Sequence, residues 1–327
     1  MNINEIAKMA GVSRATVSRF LNDGYVSEEK RERIRQVIDR TGYTPSLQAQ
    51  MLRTKRTGQV GVIIPFTNSE SISRMISGIS VTLHKAGIQM LLANAENSLS
   101  DELGYLRLFS ENKVDGVILF ATVFTREHKK ALEEMQVPLV ILGQQMEGYP
   151  CVYQDDFNAA KEITRTLLDK TTSRVGYIGV SETDEAIGRA RKQGFLSAVR
   201  ERGIDWDESC YVECGFSAEE GYRAAGTLIE RHPDISAVLG ATDPIALGAM
   251  ARFQENGRQV PDNVAVAGLG DITLGKMVRP GLTSVHFYYQ DSGQEAADIL
   301  LELMKGNPVK REVKMDYCLR QRGTTRG

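Results

Sequence analysis

The chain of 327 residues carries 42% hydrophobic and 25% charged side chains with a formal net charge of −2, a balance that suits a globular protein of two or three domains. No apolar run reaches about 18 residues and no basic-then-apolar leader is present, so neither a membrane span nor a secretory signal is expected, and the expected compartment is the cytoplasm. Charge is uneven: residues 1–58 hold 11 Lys and Arg against 6 Asp and Glu, so a basic head precedes an acidic body, as suits a head that contacts phosphates.

Asn2 can cap a first helix while Glu5 reaches back in a capping box, and Ile6, Ala7, Met9 and Ala10 give that helix an apolar face. Gly11 permits a tight turn, and Ser13 caps a second helix with Val17, Phe20 and Leu21 on one side. Its other side presents Arg14, Ala15, Thr16, Ser18 and Arg19. Two short helices joined at a glycine turn, the second small, polar and basic at its start, meet the needs of a helix-turn-helix entering a major groove. A packed helical hairpin with a solvated basic face is the alternative. Ser27 caps a third helix through about Arg40, with Val26, Ile34, Val37 and Ile38 closing a small core and Gly42 ending it.

The run Ala7-Lys-Met-Ala-Gly-Val-Ser-Arg-Ala-Thr-Val-Ser-Arg-Phe-Leu-Asn22 resembles the signature of the lactose-repressor (LacI/GalR) family of bacterial transcription regulators. The resemblance implies a homodimer on double-stranded, palindromic operator DNA of the nucleoid, with a small sugar effector and no cofactor or metal. Arg14 and Ala15 would choose bases, Arg19 would add a guanine or phosphate contact, and Ser13, Thr16, Ser18 and Asn22 would mainly set position. Residues 1–45 form the headpiece and 46–58 the linker, which resembles the family's hinge helix; Leu52 aligns with the leucine wedged into the minor groove. A plain amphipathic linker is the alternative for that stretch.

From Val60 the pattern turns to short apolar strands, Val60–Phe66, Gln89–Asn94, Gly116–Ala121, Pro138–Gly143, Val175–Val180, Ala237–Ala241 and Val264–Leu269. Helical segments lie near 71–86, 101–112, 127–135, 157–169, 186–202, 217–231, 244–256 and 291–304. Continuous apolar strands between helices imply an α/β fold with buried, doubly wound parallel sheets. Residues 59–327 supply enough for two interleaved lobes, with crossovers near 152–156 and 284–289. This resembles the periplasmic-binding-protein-like core of the family, which holds its ligand between lobes at the carboxyl ends of the strands.

Candidate effector contacts therefore sit at strand ends: Ser69 and Ser71 after the first strand, Thr122 after the third, and Asp156 at the first crossover. Gly188 to Phe195 resembles the family's R-x-x-G-F motif, whose arginine reaches the effector; Arg191 holds that place, and Arg189 nearby reads equally as a surface ion pair. Phe216 matches an aromatic that stacks on the ligand, with a core role as its alternative. Asp243 matches the acid of A-N-D-x-x-A-x-G, although it can instead cap the helix that follows. Many relatives read G-[YF]-D-[DN] where this chain has Gly268-Leu-Gly-Asp271; Gly270 replaces the first acid and Asp271 fills the next place.

No enzyme constellation is found: there is no G-x-G-x-x-G turn opening a helix, no Walker loop, no H-E-x-x-H and no G-x-S-x-G elbow, and the four histidines are scattered. Cys151, Cys210, Cys214 and Cys318 lack zinc spacing and read as ordinary thiols. Details near Arg279 to Tyr289 and Asn22 to Glu29 look more like the sucrose and trehalose operon repressors of the family, so the expected function is a carbohydrate-operon repressor released by a disaccharide or its phosphate. The alternatives are a sugar receptor without DNA regulation and a corepressor-dependent regulator.

Overall fold

A computed structural model describes residues 1–22, 24–43, 56–111, 114–168, 174–309 and 312–325. These fall into two units, Met1–Gly58 and Gln59–Gly327. Most of the expected hinge, Leu52 included, lies outside the described residues.

The first unit is a three-helix headpiece. Helix α1 (Ile3–Met9) opens on the capping box: the Asn2 side-chain oxygen accepts from the amides of Asn4 at 2.9 Å and Glu5 at 3.1 Å, while Glu5 accepts from the Asn2 amide at 2.8 Å. Gly11, at φ +62°, supplies the left-handed turn into α2 (Arg14–Phe20), capped by Ser13. Helix α3 (Glu28–Thr41) begins after Ser27 without a side-chain cap bond and ends on left-handed Gly42. Ile6, Ala7, Ala10, Val17, Val26, Ile34 and Val37 form the core of this unit. Met9, assigned to that face by spacing, is exposed because the helix ends as the residue comes round to solvent.

The second unit holds two sheets. The first has the order β11 (Glu312–Met315), β5 (Cys151–Gln154), β4 (Leu139–Leu142), β3 (Gly116–Phe120), β1 (Gln59–Ile64), β2 (Gln89–Asn94), with every pairing parallel. The second runs β12 (Tyr317–Arg320), β10 (Thr283–Phe287), β9 (Ala265–Leu269), β8 (Ile235–Gly240), β6 (Arg174–Gly179), β7 (Tyr211–Glu213). It is parallel except for the β10–β12 pair. Strands β3, β4 and β9 are buried along their whole length, as parallel strands covered by helices on both faces must be.

All seven expected strands form, and among the described residues five more appear: β5, β7, β10, β11 and β12. The chain passes between lobes after Gln154, after Phe287 and again at Asp316, one crossing more than expected. That last passage escapes a hydrophobicity reading because β11 alternates exposed and half-buried residues at a sheet edge. Helices Glu70–Lys85 and Tyr289–Lys305 pack so closely that a Cβ on Gly78 would lie 2.0 Å from the Gln290 carbonyl oxygen, and one on Gly293 2.0 Å from that of Met75. This contact ties the returning helix to the first lobe beside the crossover, at the back of the cleft.

Candidate functional site

In the headpiece, Ser13, Arg14, Ala15, Arg19 and Asn22 are exposed or partly so, as are Thr16 and Ser18. Three of these also serve the helix itself. Ser13 Oγ accepts from the Thr16 amide at 3.2 Å and lies 2.9 Å from Thr16 Oγ1, while the Asn22 side-chain amide donates to the Ser18 carbonyl and closes the end of α2. Arg14 and Arg19 form no ion pair among the described residues, which leaves two guanidinium groups and the small Ala15 on one open surface.

In the second unit, a cavity of about 460 Å³ lies between the lobes, within the roughly 300–1,000 Å³ common for small-molecule sites. Ser69, Ser71, Thr122, Asp156, Arg191 and Phe216 line it. Phe66 of the first lobe faces Phe216 of the second, ring centroids 5.8 Å apart. Sequence reasoning missed Gln144, Gln154 and Asp184, which also line the cavity at or just beyond strand ends. The strand-end rule that selected Thr122 points to them equally well.

Arg191 is only 2% exposed. Its Nε lies 2.7 Å from Asp156 Oδ1, its Nη1 donates to the Ala241 carbonyl at 2.6 Å, and its guanidinium sits 5.1 Å from the Phe287 ring centre. Burial opposes this charge, but the Asp156 carboxylate and the other groups around it outweigh burial and hold the Arg191 pKa above its ordinary value. The rest of the R-x-x-G-F run is packing: Phe195 is fully buried, and a Cβ on Gly194 would lie 2.2 Å from the Phe157 carbonyl oxygen.

Three candidates stand apart from the cavity lining. Arg189 is exposed and pairs with Glu185 one helical turn earlier. Asp243 is fully buried beneath the loop after β9, accepting from Ser284 Oγ at 2.6 Å and from the Ile272 amide at 2.8 Å. Burial raises its pKa to about 6 against the pull of those two hydrogen bonds, and nearby Asp271 adds to the rise. Asp271 is taken up by Arg322, by Lys276 at 3.1 Å and by His286 at 3.0 Å. Gly270 instead faces the cavity, at φ +136°, a conformation that favours glycine over any residue with a side chain.

The lobes also meet through a polar latch. Glu70, at the start of the Glu70–Lys85 helix, accepts from the Thr273 amide at 3.0 Å and from Thr273 Oγ1 at 2.7 Å, and it pairs with Arg74, which donates to the Asp271 carbonyl at 3.2 Å. Burial works against the Glu70 charge, but the bonds from Thr273 and Arg74 hold its pKa below the usual carboxylate value. The cavity thus has a polar closure and an aromatic bridge, both joining elements of different lobes.

No helix among the described residues is long and apolar enough to cross a membrane. The chain matches the family model for bacterial regulatory proteins of the lacI family over residues 2–46, and a periplasmic binding protein-like domain over residues 164–325. It is 28% identical over 315 residues to the sucrose operon repressor of Staphylococcus xylosus, covering 96% of this chain and 97% of the relative. It is 30% identical over 333 residues to the HTH-type transcriptional regulator CelR of Thermobifida fusca, covering 97% of each. Among solved structures, the complex of the transcriptional regulator CelR with cellobiose superposes with a TM-score of 0.77 at 27% identity over 99% of both chains. The lac repressor dimer bound to operator and the anti-inducer ONPF gives a TM-score of 0.91 at 22% identity over 99% of both, a likeness of fold. The exposed helix-turn-helix, the two-lobed core and these matches together place the chain in the lacI family of bacterial regulatory proteins, a family of DNA-binding transcription regulators rather than enzymes.

Proposed function

We propose that the chain is a sugar-responsive repressor that holds a palindromic operator as a homodimer on the bacterial chromosome, in the cytoplasm, and lets go when a disaccharide fills the interlobe cavity. The observation that carries the reading is the cavity, where hydroxyl and amide groups alternate with the Phe66 and Phe216 rings across two lobes. Flat apolar faces stack on sugar rings while short polar side chains meet their hydroxyls. The sucrose operon repressor and the cellobiose-bound CelR support a carbohydrate effector. Exposed Leu91 and Leu92 on edge strand β2 and exposed Leu274 and Met277 in the second lobe support a dimer, since such apolar surface favours burial against a second copy. The lac repressor dimer on operator supports the same assembly.

In this reading Arg14 and Ala15 select bases, Arg19 adds a guanine or phosphate contact, and Ser13, Thr16, Ser18 and Asn22 set the position of the helix. Leu52 serves as the minor-groove wedge. Binding of a duplex selected from a random pool, followed by fluorescence anisotropy across salt and sugar concentrations, tests the proposal. A steep salt dependence with release by a disaccharide supports it. Absence of duplex binding would make the chain a sugar receptor, and tighter binding with sugar would make it corepressor-dependent.

A further inference from the structure

We infer that the effector is an uncharged sugar and that the cavity rejects the phosphate ester of that same sugar. The inference rests on the reading of the cavity as the effector site, and it narrows that reading by charge and by hydrogen-bonding sense.

Among the described residues, Arg191 is the one cationic side chain that lines the cavity, and its fork is already engaged by Asp156 and the Ala241 carbonyl. The other cations nearby are matched elsewhere. Arg189 pairs with Glu185, Arg74 with Glu70, and Lys192 Nζ lies 2.8 Å from Glu182 and 3.2 Å from Glu208, above the Tyr211 ring. With Glu70 and Asp156 each balanced by an arginine, Asp184 leaves the wall with a surplus acid. Backbone amides offer no substitute at the turn Glu185–Ala190, because Asp184 Oδ1 already accepts from Ala186 at 3.0 Å and Ile187 at 2.7 Å. At this turn the donors that could meet a phosphate are thus held by the protein's own carboxylate.

Two buried groups of the wall are held as acceptors. Gln144 is 3% exposed and gives its amide N–H to the Thr122 carbonyl, which can only accept; this fixes the amide orientation and leaves Oε1 without a partner. Gln154 is 6% exposed and donates to Ser292 Oγ at 2.8 Å. Ser292 in turn gives its hydroxyl proton to the Tyr288 carbonyl at 2.9 Å, so Gln154 must be the donor and its Oε1 is likewise unpartnered. Two buried amide oxygens on residues that line a cavity call for hydroxyl donors from the ligand. A sugar hydroxyl satisfies them, whereas a phosphate oxygen would set acceptor against acceptor beside Asp184 and would give up its hydration for no positive partner.

Calorimetric titration of the full-length protein with matched pairs, sucrose against sucrose 6-phosphate and cellobiose against cellobiose 6-phosphate, tests this inference, with release of a labelled duplex as the second readout. For the sugar that binds, the ester is expected to bind about 100-fold or more weakly, a gap set by like-charge repulsion in a partly desolvated site. Gln144→Lys, which adds a cation to the wall, is expected to shrink that gap at least about tenfold. An ester that binds as tightly as its parent, or tighter, overturns the inference and leaves the sugar-effector reading standing. Failure of both members of both pairs to bind or to release the duplex overturns that reading, and this inference with it.

Discussion

Asp243→Asn is the sharpest test of the loop support beneath the cavity. The carboxyl is fully buried and its pKa in the folded protein is about 6, whereas an unfolded aspartate titrates near 3.9. Because the folded value is raised, the folded state binds the proton more tightly. The stabilisation is therefore complete below about pH 4 and is lost as pH rises through about 6. A pKa raised from near 3.9 to about 6 is worth about 3 kcal/mol, since each tenfold change in proton affinity is worth roughly 1.36 kcal/mol. Asparagine keeps an oxygen for the Ile272 amide and removes the titration. Urea unfolding of both proteins from pH 4.5 to 7.5 should show wild-type stability falling relative to the variant by about 2 kcal/mol across that range. Most of the change should be complete by about pH 7. A difference that stays flat with pH would show that Asp243 keeps an ordinary carboxylate pKa and would refute the burial argument.

Three further outcomes are expected from the same contacts. Arg191→Met should destabilise the core by about 3–5 kcal/mol by stranding the buried Asp156 carboxylate, and Asp156→Asn in the same chain should restore part of that loss in denaturant unfolding. Phe216→Ala should weaken sugar binding about tenfold or more in calorimetry while operator affinity without sugar stays unchanged; an equal loss in both would make the ring a general packing element. Glu70→Ala removes the acceptor for Thr273 and Arg74. It should lower sugar affinity about tenfold and raise the radius of gyration of the sugar-bound protein in small-angle scattering, and an unchanged radius would remove the latch from lobe closure.

Local chemistry made the headpiece readable: Asn2 with Glu5, Gly11 and Ser13 act within a few residues of themselves, so spacing alone identifies them. The central strands were readable because parallel strands buried on both faces are continuously apolar. Edge strands β7, β11 and β12 were not, since half-exposed or short segments carry little periodic signal. Site residues divided along the same line. Phe216 and Arg191 reach the cavity, but the partner that neutralises Arg191 lies 35 residues away in the chain. Asp243 and Asp271 carry the residue type and strand-end position of ligand contacts; they are consumed by Ser284, 41 residues on, and by Arg322, 51 residues on. A carboxylate at a strand end is ambiguous until its distant partners are known. Gln144 and Gln154 show the reverse, because glutamine gives no charge signal and only its unpaired buried oxygen marks it.

Sugar-controlled DNA release is tested most directly by a closed thermodynamic cycle. Sugar affinity is measured by calorimetry with the protein free and with it saturated by operator duplex, and operator affinity is measured by anisotropy with and without saturating sugar. Coupling between two sites is reciprocal, so both ratios must agree. Operator-bound protein is expected to hold sugar more weakly, by the same factor, on the order of 10-fold or more, by which sugar weakens operator binding. Equal sugar affinity with and without operator would contradict sugar-controlled release, because a ligand indifferent to the DNA-bound state has no means of ending it.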